Sequence, residues 1–256
     1  MSTTADYFHG RIALVTGASS GIGMATAIAL GQAGAKVGIQ YRGNQAGAEA
    51  TLRGVEVGGK GVIIQADLGQ TQDVNRTFTE LESAFGSRLD FLVNNAGDWM
   101  DKETIADCRE EQWDHIFNVN TKSVFLCSQR AVRKMIDQGE GAVVNVGSIA
   151  GHTGGGGGTV PYAAAKSAVH AFTRGLAREM APHGIRVNAV APGLVETPMI
   201  AKRVVGDARE SLKGMTPLGA IAEPRQLADA VLHLLSPAAS FVTGMIYDVN
   251  GGFLMR

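Results

Sequence analysis

Short, continuously apolar runs of β-forming residues recur along this 256-residue chain, each separated from the next by a stretch with helical spacing. No other feature leaves the fold so little freedom. The runs are residues 11–16, 36–41, 61–65, 89–93, 142–146, 185–190 and 245–249. Helical stretches cover 22–33 (closed by Gly34), 46–57 (stopped by Gly58 and Gly59), 71–85, 113–136, 162–180 and 224–235. A strand without polar alternation has both faces covered, as in a parallel sheet between two helical layers. With right-handed crossovers, the pattern predicts an α/β fold: a doubly wound, Rossmann-type, mostly parallel seven-stranded sheet with helices on both faces. No linker, repeat or charge run divides residues 1–256, so a single domain is expected. Segments 151–159 and 193–219 interrupt the pattern. Both follow strands, and ligands in such sheets sit beyond the strands' carboxyl ends, so both are expected to wall a cleft.

Composition narrows the function classes. Lys and Arg number 23 against 24 Asp and Glu, for a net charge of -1. A nucleic-acid binder needs a basic surface, so that class is set aside. No apolar run approaches the roughly 20 residues of a membrane span. Residues 1–10 lack a basic stretch followed by an apolar one, so no secretory signal and a cytoplasmic location are expected. Two cysteines, Cys108 and Cys127, lack CxxC spacing, which fits a reducing compartment and no metal site.

The turn after the first strand reads Thr16-Gly17-Ala18-Ser19-Ser20-Gly21-Ile22-Gly23. Glycines there permit positive φ and close approach of a phosphate to N–H groups at a helix N-terminus. The spacing is G-x-x-x-G-x-G rather than the common G-x-G-x-x-G. The same residues also satisfy G-x-S-x-G, a hydrolase nucleophile elbow. That reading needs a later acid and histidine and an earlier glycine-rich oxyanion loop, whereas Gly154–Gly158 comes after the serine. His115, His152, His170, His183 and His233 have no evident anchor and read as solvated or satisfied, His152 as a loop residue in solvent.

Tyr162 and Lys166 are four apart on a helix and share a face. An ammonium beside a phenol favours phenolate and lowers a pKa that starts near 10. Such a phenol can exchange a proton with a substrate oxygen. Ser148, at the end of the fifth strand, is placed to donate to the same oxygen.

Together these segments resemble the short-chain dehydrogenase/reductase family over nearly the whole chain. The pieces are the TGASSGIG turn, Asp67 in QADL, Asn94-Asn95-Ala96-Gly97, Asn118-Val119-Asn120, Ser148, the Tyr162 to Lys166 segment YAAAK, and PGLVET from Pro192 to Thr197. Within the family the chain looks most like 3-oxoacyl-carrier-protein reductases and glucose dehydrogenase-like members. The resemblance implies a nicotinamide-dependent oxidoreductase interconverting a carbonyl and a secondary alcohol, with a small-molecule 3-oxoacyl thioester or a sugar or polyol as substrate. It makes Tyr162 the general acid or base and has Lys166 hold the nicotinamide ribose. Ser148 would orient the substrate oxygen, and Asn120 would seat a water. It implies that Gly17, Gly21, Ile22 and Gly23 line the pyrophosphate, with Ser20, Ala96, Gly97, Pro192 and Gly193 completing the cofactor wall. Asn94 would abut the adenosine ribose, Asp67 and Leu68 the adenine, and Val195 and Thr197 the carboxamide. The family's usual assembly is a homotetramer paired through the long helices.

The second strand ends Gln40-Tyr41-Arg42-Gly43-Asn44, where dinucleotide sites meet the adenosine ribose. No acid stands there to accept from a free 2′-hydroxyl. Arg42 offers a planar cation for a 2′-phosphate, with Ser19 and Asn44 as neutral donors, so NADP(H) is expected over NAD(H). A non-catalytic nucleotide sensor of the same fold is the rival reading, and the presence of Asn120, Ser148, Tyr162 and Lys166 argues against it. Trp99 and Trp113 read as packing residues in preference to substrate stackers.

Overall fold

The computed structural model describes residues 7–99, 103–204 and 206–256. The first six residues, part of the stretch read for a signal, lie outside the described residues, as does position 205 in the 193–219 segment. The strands are β1 (Ile12–Val15), β2 (Lys36–Tyr41), β3 (Lys60–Gln65), β4 (Phe91–Asn94), β5 (Gly141–Val146), β6 (Ile185–Pro192) and β7 (Ile246–Val249). They form one sheet in the order β3-β2-β1-β4-β5-β6-β7, and every pairing is parallel. Strand order reverses between β1 and β4, and the carboxyl ends of those two strands open the crevice in which such sheets bind ligands.

The two faces are legible in β1. Ala13 and Val15 join a core with Ala27 and Leu30 of α1 (Gly21–Gln32), Val55 of α2 (Gln45–Val55), and Val231 and Leu235 of α10 (Pro224–Leu235). Ile12 and Leu14 point the other way, onto Phe78 and Leu81 of α3 (Thr71–Phe85), Met135 of α5 (Ser123–Gln138), and Leu176 and Met180 of α7 (Val160–Met180). Each alternate residue of one strand therefore serves a different helical layer, and this requires the continuous apolar runs.

The expected helix over 113–136 is broken. It comprises α4 (Glu110–Phe117), a wide π-turn at Asn118–Lys122, and α5. Asn120 is the reason. Its buried Nδ2 donates to Ile116 O at 2.9 Å and to Asp98 O at 2.8 Å, so the side chain competes with the helical ladder. The two interrupting segments also carry short helices: α6 (Ala150–Thr153) in the first, α8 (Pro198–Arg203) and α9 (Asp207–Gly214) in the second. Among the described residues no helix is long and apolar enough to cross a membrane, and no cluster of three His, Cys, Asp or Glu is arranged to hold a metal.

Candidate active site

A cleft of about 700 Å³ runs over the carboxyl ends of the strands. Gly17, Ser19, Ser20, Gly21 and Ile22 line its middle, and Arg42, Asn44, Asp67 and Leu68 one end. Asn120, Ser148, Tyr162 and Lys166 line the other end, with Ala96, Gly97, Pro192, Gly193, Val195 and Thr197 between. Folding therefore collects on one surface residues drawn from six strand ends.

Three expected cofactor residues are not on this wall. Asn94 is buried in the sheet, where its Nδ2 donates to Asn145 Oδ1 of β5 at 2.8 Å and to Ser128 Oγ at 3.0 Å. The cleft position belongs to Asn95, whose Nδ2 donates to the carbonyls of Thr16 and Gly17 and holds the glycine turn. Neighbours at a strand end point to opposite sides, so the pair divides into a sheet residue and a cleft residue. Tyr41 is buried in the core. Gly23 serves packing: a Cβ there would lie 2.3 Å from Asn95 Nδ2 and 2.5 Å from Gly17 O.

The turn is built to meet an anion. Gly17 and Gly21 hold positive φ. Ser20, the N-cap of α1, supplies no side-chain capping bond, and the first turn holds no acid, so the helix N–H groups face the cleft uncapped. Gln40, missed in the sequence, braces the turn by accepting from Gly17 N at 2.9 Å while donating to Ala66 O at 2.8 Å. A polar residue in an otherwise apolar strand was the available signal. Asn44 caps α2 by accepting from Gly47 N and donates to Ser19 O, so its side chain is already engaged. Arg42 is exposed at the cleft's edge, and among the described residues no carboxylate pairs with it. These features fit a dinucleotide bearing an extra phosphate at the Arg42 end.

At the opposite end the expected electrostatics are reversed. Burial pushes the Tyr162 phenol up to about 12, and a hydrogen bond with Ser148 only partly offsets this. Lys166 Nζ donates to Val146 O at 2.9 Å and stands over the Tyr162 ring, 5.7 Å from its centroid. Its own burial pushes it down to about 8. Desolvation is the leading influence on both groups and disfavours phenolate and ammonium alike. Asn120 Oδ1 accepts from Asp98 N at 3.3 Å, completing a clamp on the backbone that carries Gly97 and Asp98 past Lys166.

His152 is not in solvent. Its side chain is 9% exposed, with Nε2 3.2 Å from Asp248 Oδ1 and its ring 4.3 Å from that of His170. His170, buried in α7, accepts a long 3.5 Å bond at Nε2 from Ser148 N. The pair forms the floor beneath the Ser148 turn. Trp99 also departs from its packing role: it lines the cleft, with its ring 6.1 Å from that of Tyr162 and inclined by 26°. Trp113 is 37% exposed and stacks on Phe117 at 4.7 Å.

A seven-stranded parallel sheet, an uncapped glycine turn at its switch point, and a Ser-Tyr-Lys set at the far end of one cleft define a dinucleotide-dependent oxidoreductase. Residues 17–254 match the family described as enoyl-(acyl carrier protein) reductase. The chain is 39% identical over 247 residues to the 3-oxoacyl-[acyl-carrier-protein] reductase FabG of Vibrio cholerae, covering 96% of this chain and 98% of that one. It is 38% identical over 248 residues to the FabG reductases of Staphylococcus aureus (96% and 98% covered) and Escherichia coli (97% and 99% covered). The chain belongs to the short-chain dehydrogenase/reductase family.

Proposed function

We propose that this enzyme uses NADP(H) to reduce an uncharged carbonyl to a secondary alcohol, with 3-oxoacyl thioesters, named for its relatives, among the candidate substrates. The observation that carries this reading is the cleft itself, which brings Ser148, Tyr162 and Lys166 to one end and Arg42 to the other. In reduction the phenol donates its proton to the carbonyl oxygen, and in oxidation the same group takes it back.

When bound, the nicotinamide cofactor supplies the hydride. The uncapped N-terminus of α1 and the Gly17–Ile22 turn would hold its phosphates, and Arg42 would hold the 2′-phosphate. Ser148 donates to the substrate oxygen and keeps it beside Tyr162. The phenol O–H then protonates that oxygen as negative charge develops on it. Lys166, cationic at neutral pH even with its pKa near 8, steadies the phenolate that remains. Asn120 holds the Gly97–Asp98 backbone against Lys166, and the water assigned to it would share that polar corner.

Tyr162→Phe keeps the ring and removes the proton. We expect kcat to fall by ~10²–10⁴-fold, the usual weight of a positioned general acid, with NADPH binding retained in fluorescence titration. Near-normal kcat would overturn the mechanism. The same reading places the enzyme in the cytoplasm as a homotetramer. Two free cysteines suit a reducing compartment, and cell fractionation tests the location.

A further inference from the structure

We infer that His170 is a positioning residue for the reduction: its imidazole holds the turn that carries Ser148 and acts on the substrate only through that serine; this rests on the carbonyl-reductase reading above. The turn over 147–151 is anchored group by group. Gly147 N donates to Val190 O at 2.8 Å and Ile149 N to Pro192 O at 3.0 Å, both carbonyls of β6. Ser167 Oγ of α7 donates to Gly151 O at 2.7 Å. Ala150 N donates to Ser148 Oγ at 3.1 Å, which fixes the hydroxyl oxygen against its own turn. The remaining amide is that of Ser148 itself. Among the described residues its one partner is His170 Nε2, at 3.5 Å.

That bond is long, and shape reinforces it. A Cβ on Gly147 would lie 2.3 Å from His170 Nε2, and one on Gly151 2.7 Å from its Cε1. The ring is thus wedged against both ends of the turn, and neither end can sink toward α7 without meeting it. The ring is itself backed. The His152 ring lies 4.3 Å from it, His152 Nε2 is 3.2 Å from Asp248 Oδ1, and Arg256 Nε donates to Asp248 Oδ2 at 2.9 Å. Burial, helped by His152, Arg174, Lys166 and Arg256, pushes His170 down to about 3, so its Nε2 keeps a lone pair for the Ser148 amide at neutral pH. In that tautomer Nδ1 carries the proton, and among the described residues nothing accepts it. An unpaired buried donor is a cost that an apolar side chain of similar size avoids. What sets the imidazole apart from such a side chain is the acceptor it offers to Ser148 N. The stakes are high because Ser148 works by placing a hydroxyl within hydrogen-bond reach of the substrate oxygen, and a misplacement of about 1 Å can cost ~100-fold.

The test is a double-mutant cycle with Ser148, read as kcat for NADPH-dependent reduction of the acetoacetyl thioester of N-acetylcysteamine and of ethyl acetoacetate. His170→Leu should lower kcat about 5- to 50-fold with NADPH-binding stoichiometry unchanged. His170→Gln, whose amide oxygen reaches the place of Nε2, should restore most of that loss. In a Ser148→Ala background, followed at high enzyme concentration, His170→Leu should change kcat by less than about 2-fold, because the group it positions is gone. His170→Met, which adapts to irregular space, takes the place of the leucine variant should that one fail to fold. Equal losses in both backgrounds mark a merely structural role and overturn the inference. So does near wild-type kcat in the leucine variant, or a glutamine variant no better than it. Each of these outcomes leaves the reductase reading standing. A wild type that reduces neither compound overturns both.

Discussion

Arg42 shows how one side chain sets cofactor choice. It follows a strand ending without an acid and carries no competing carboxylate among the described residues, so its guanidinium is free to meet a phosphate. Asn44, expected as a helper, is partly spent, because its Nδ2 donates to the Ser19 carbonyl and its Oδ1 accepts from Gly47 N. The preference for NADPH therefore rests on one charge-assisted contact worth about 1.5–3 kcal/mol. We expect Arg42→Ala to reduce the NADPH:NADH ratio of kcat/KM roughly ten- to a hundred-fold, and added salt to erode the wild-type ratio because the site is exposed. A wild type favouring NADH, or an unchanged ratio in the variant, refutes the assignment. Asn94 and Asn95 make a second point at this scale. The motif announces that an asparagine matters at the end of β4, but only the pairing of Asn94 with Asn145 shows which one faces the cleft.

Between elements, α7 does more than carry Tyr162 and Lys166. His170 projects from the same helix under the Ser148 turn, so close that a Cβ on Gly147 would lie 2.3 Å from His170 Nε2 and one on Gly151 2.7 Å from its Cε1. These glycines are small because the imidazole fills the space. Burial, reinforced by His152, Arg174, Lys166 and Arg256, pushes His170 down to about 3 from an ordinary 6.5. The unfolded chain thus binds a proton below pH 6.5 that the folded protein does not. Stability is complete above that pH, falls as pH drops below it, and goes on falling until about pH 3, at roughly 1.4 kcal/mol per unit. Urea denaturation at pH 7, 6 and 5 reads this slope. We expect His170→Leu to flatten it by about one proton, whatever the variant's stability at pH 7. An unchanged slope would show that His170 titrates normally. His152 contributes in the same direction, desolvation lowering it against the pull of Asp248.

For the whole molecule, the two sheet edges differ. β3 opens on exposed Lys60, a charge that discourages further pairing. β7 instead bears Tyr247, 40% exposed, with Met245 at 47% and a fully exposed Phe241 just ahead of it. A second apolar area lies on α4, α5 and the start of α7, where Trp113, Phe125 and Val160 are exposed. Two separate apolar faces suit two kinds of symmetric contact, and two perpendicular two-fold contacts make a tetramer. Light scattering should therefore give four chain masses, and Phe241→Glu should leave species of two. A wild type that stays monomeric at every concentration would overturn the proposed assembly.

What the sequence determined by itself was local. Runs such as 36–41 and 71–85 match their elements to the residue because period-2 and period-3.6 patterns and glycine stops act over a few neighbours. Cleft residues carried by such motifs, including Ser148, Tyr162, Lys166 and the 17–22 turn, were legible for the same reason. The tertiary structure decided whatever depends on burial by distant segments. Asn120 breaks its helix because Asp98 offers a carbonyl from 22 residues away. His152 leaves solvent because β7 brings Asp248 to it. Trp99 becomes a cleft wall because α7 sets the Tyr162 ring alongside. The Tyr162 phenol is pushed up by desolvation, a property of the whole enclosure that the spacing to the lysine four residues along does not show. Such energies are set by all the atoms around a group, and only the folded chain assembles them.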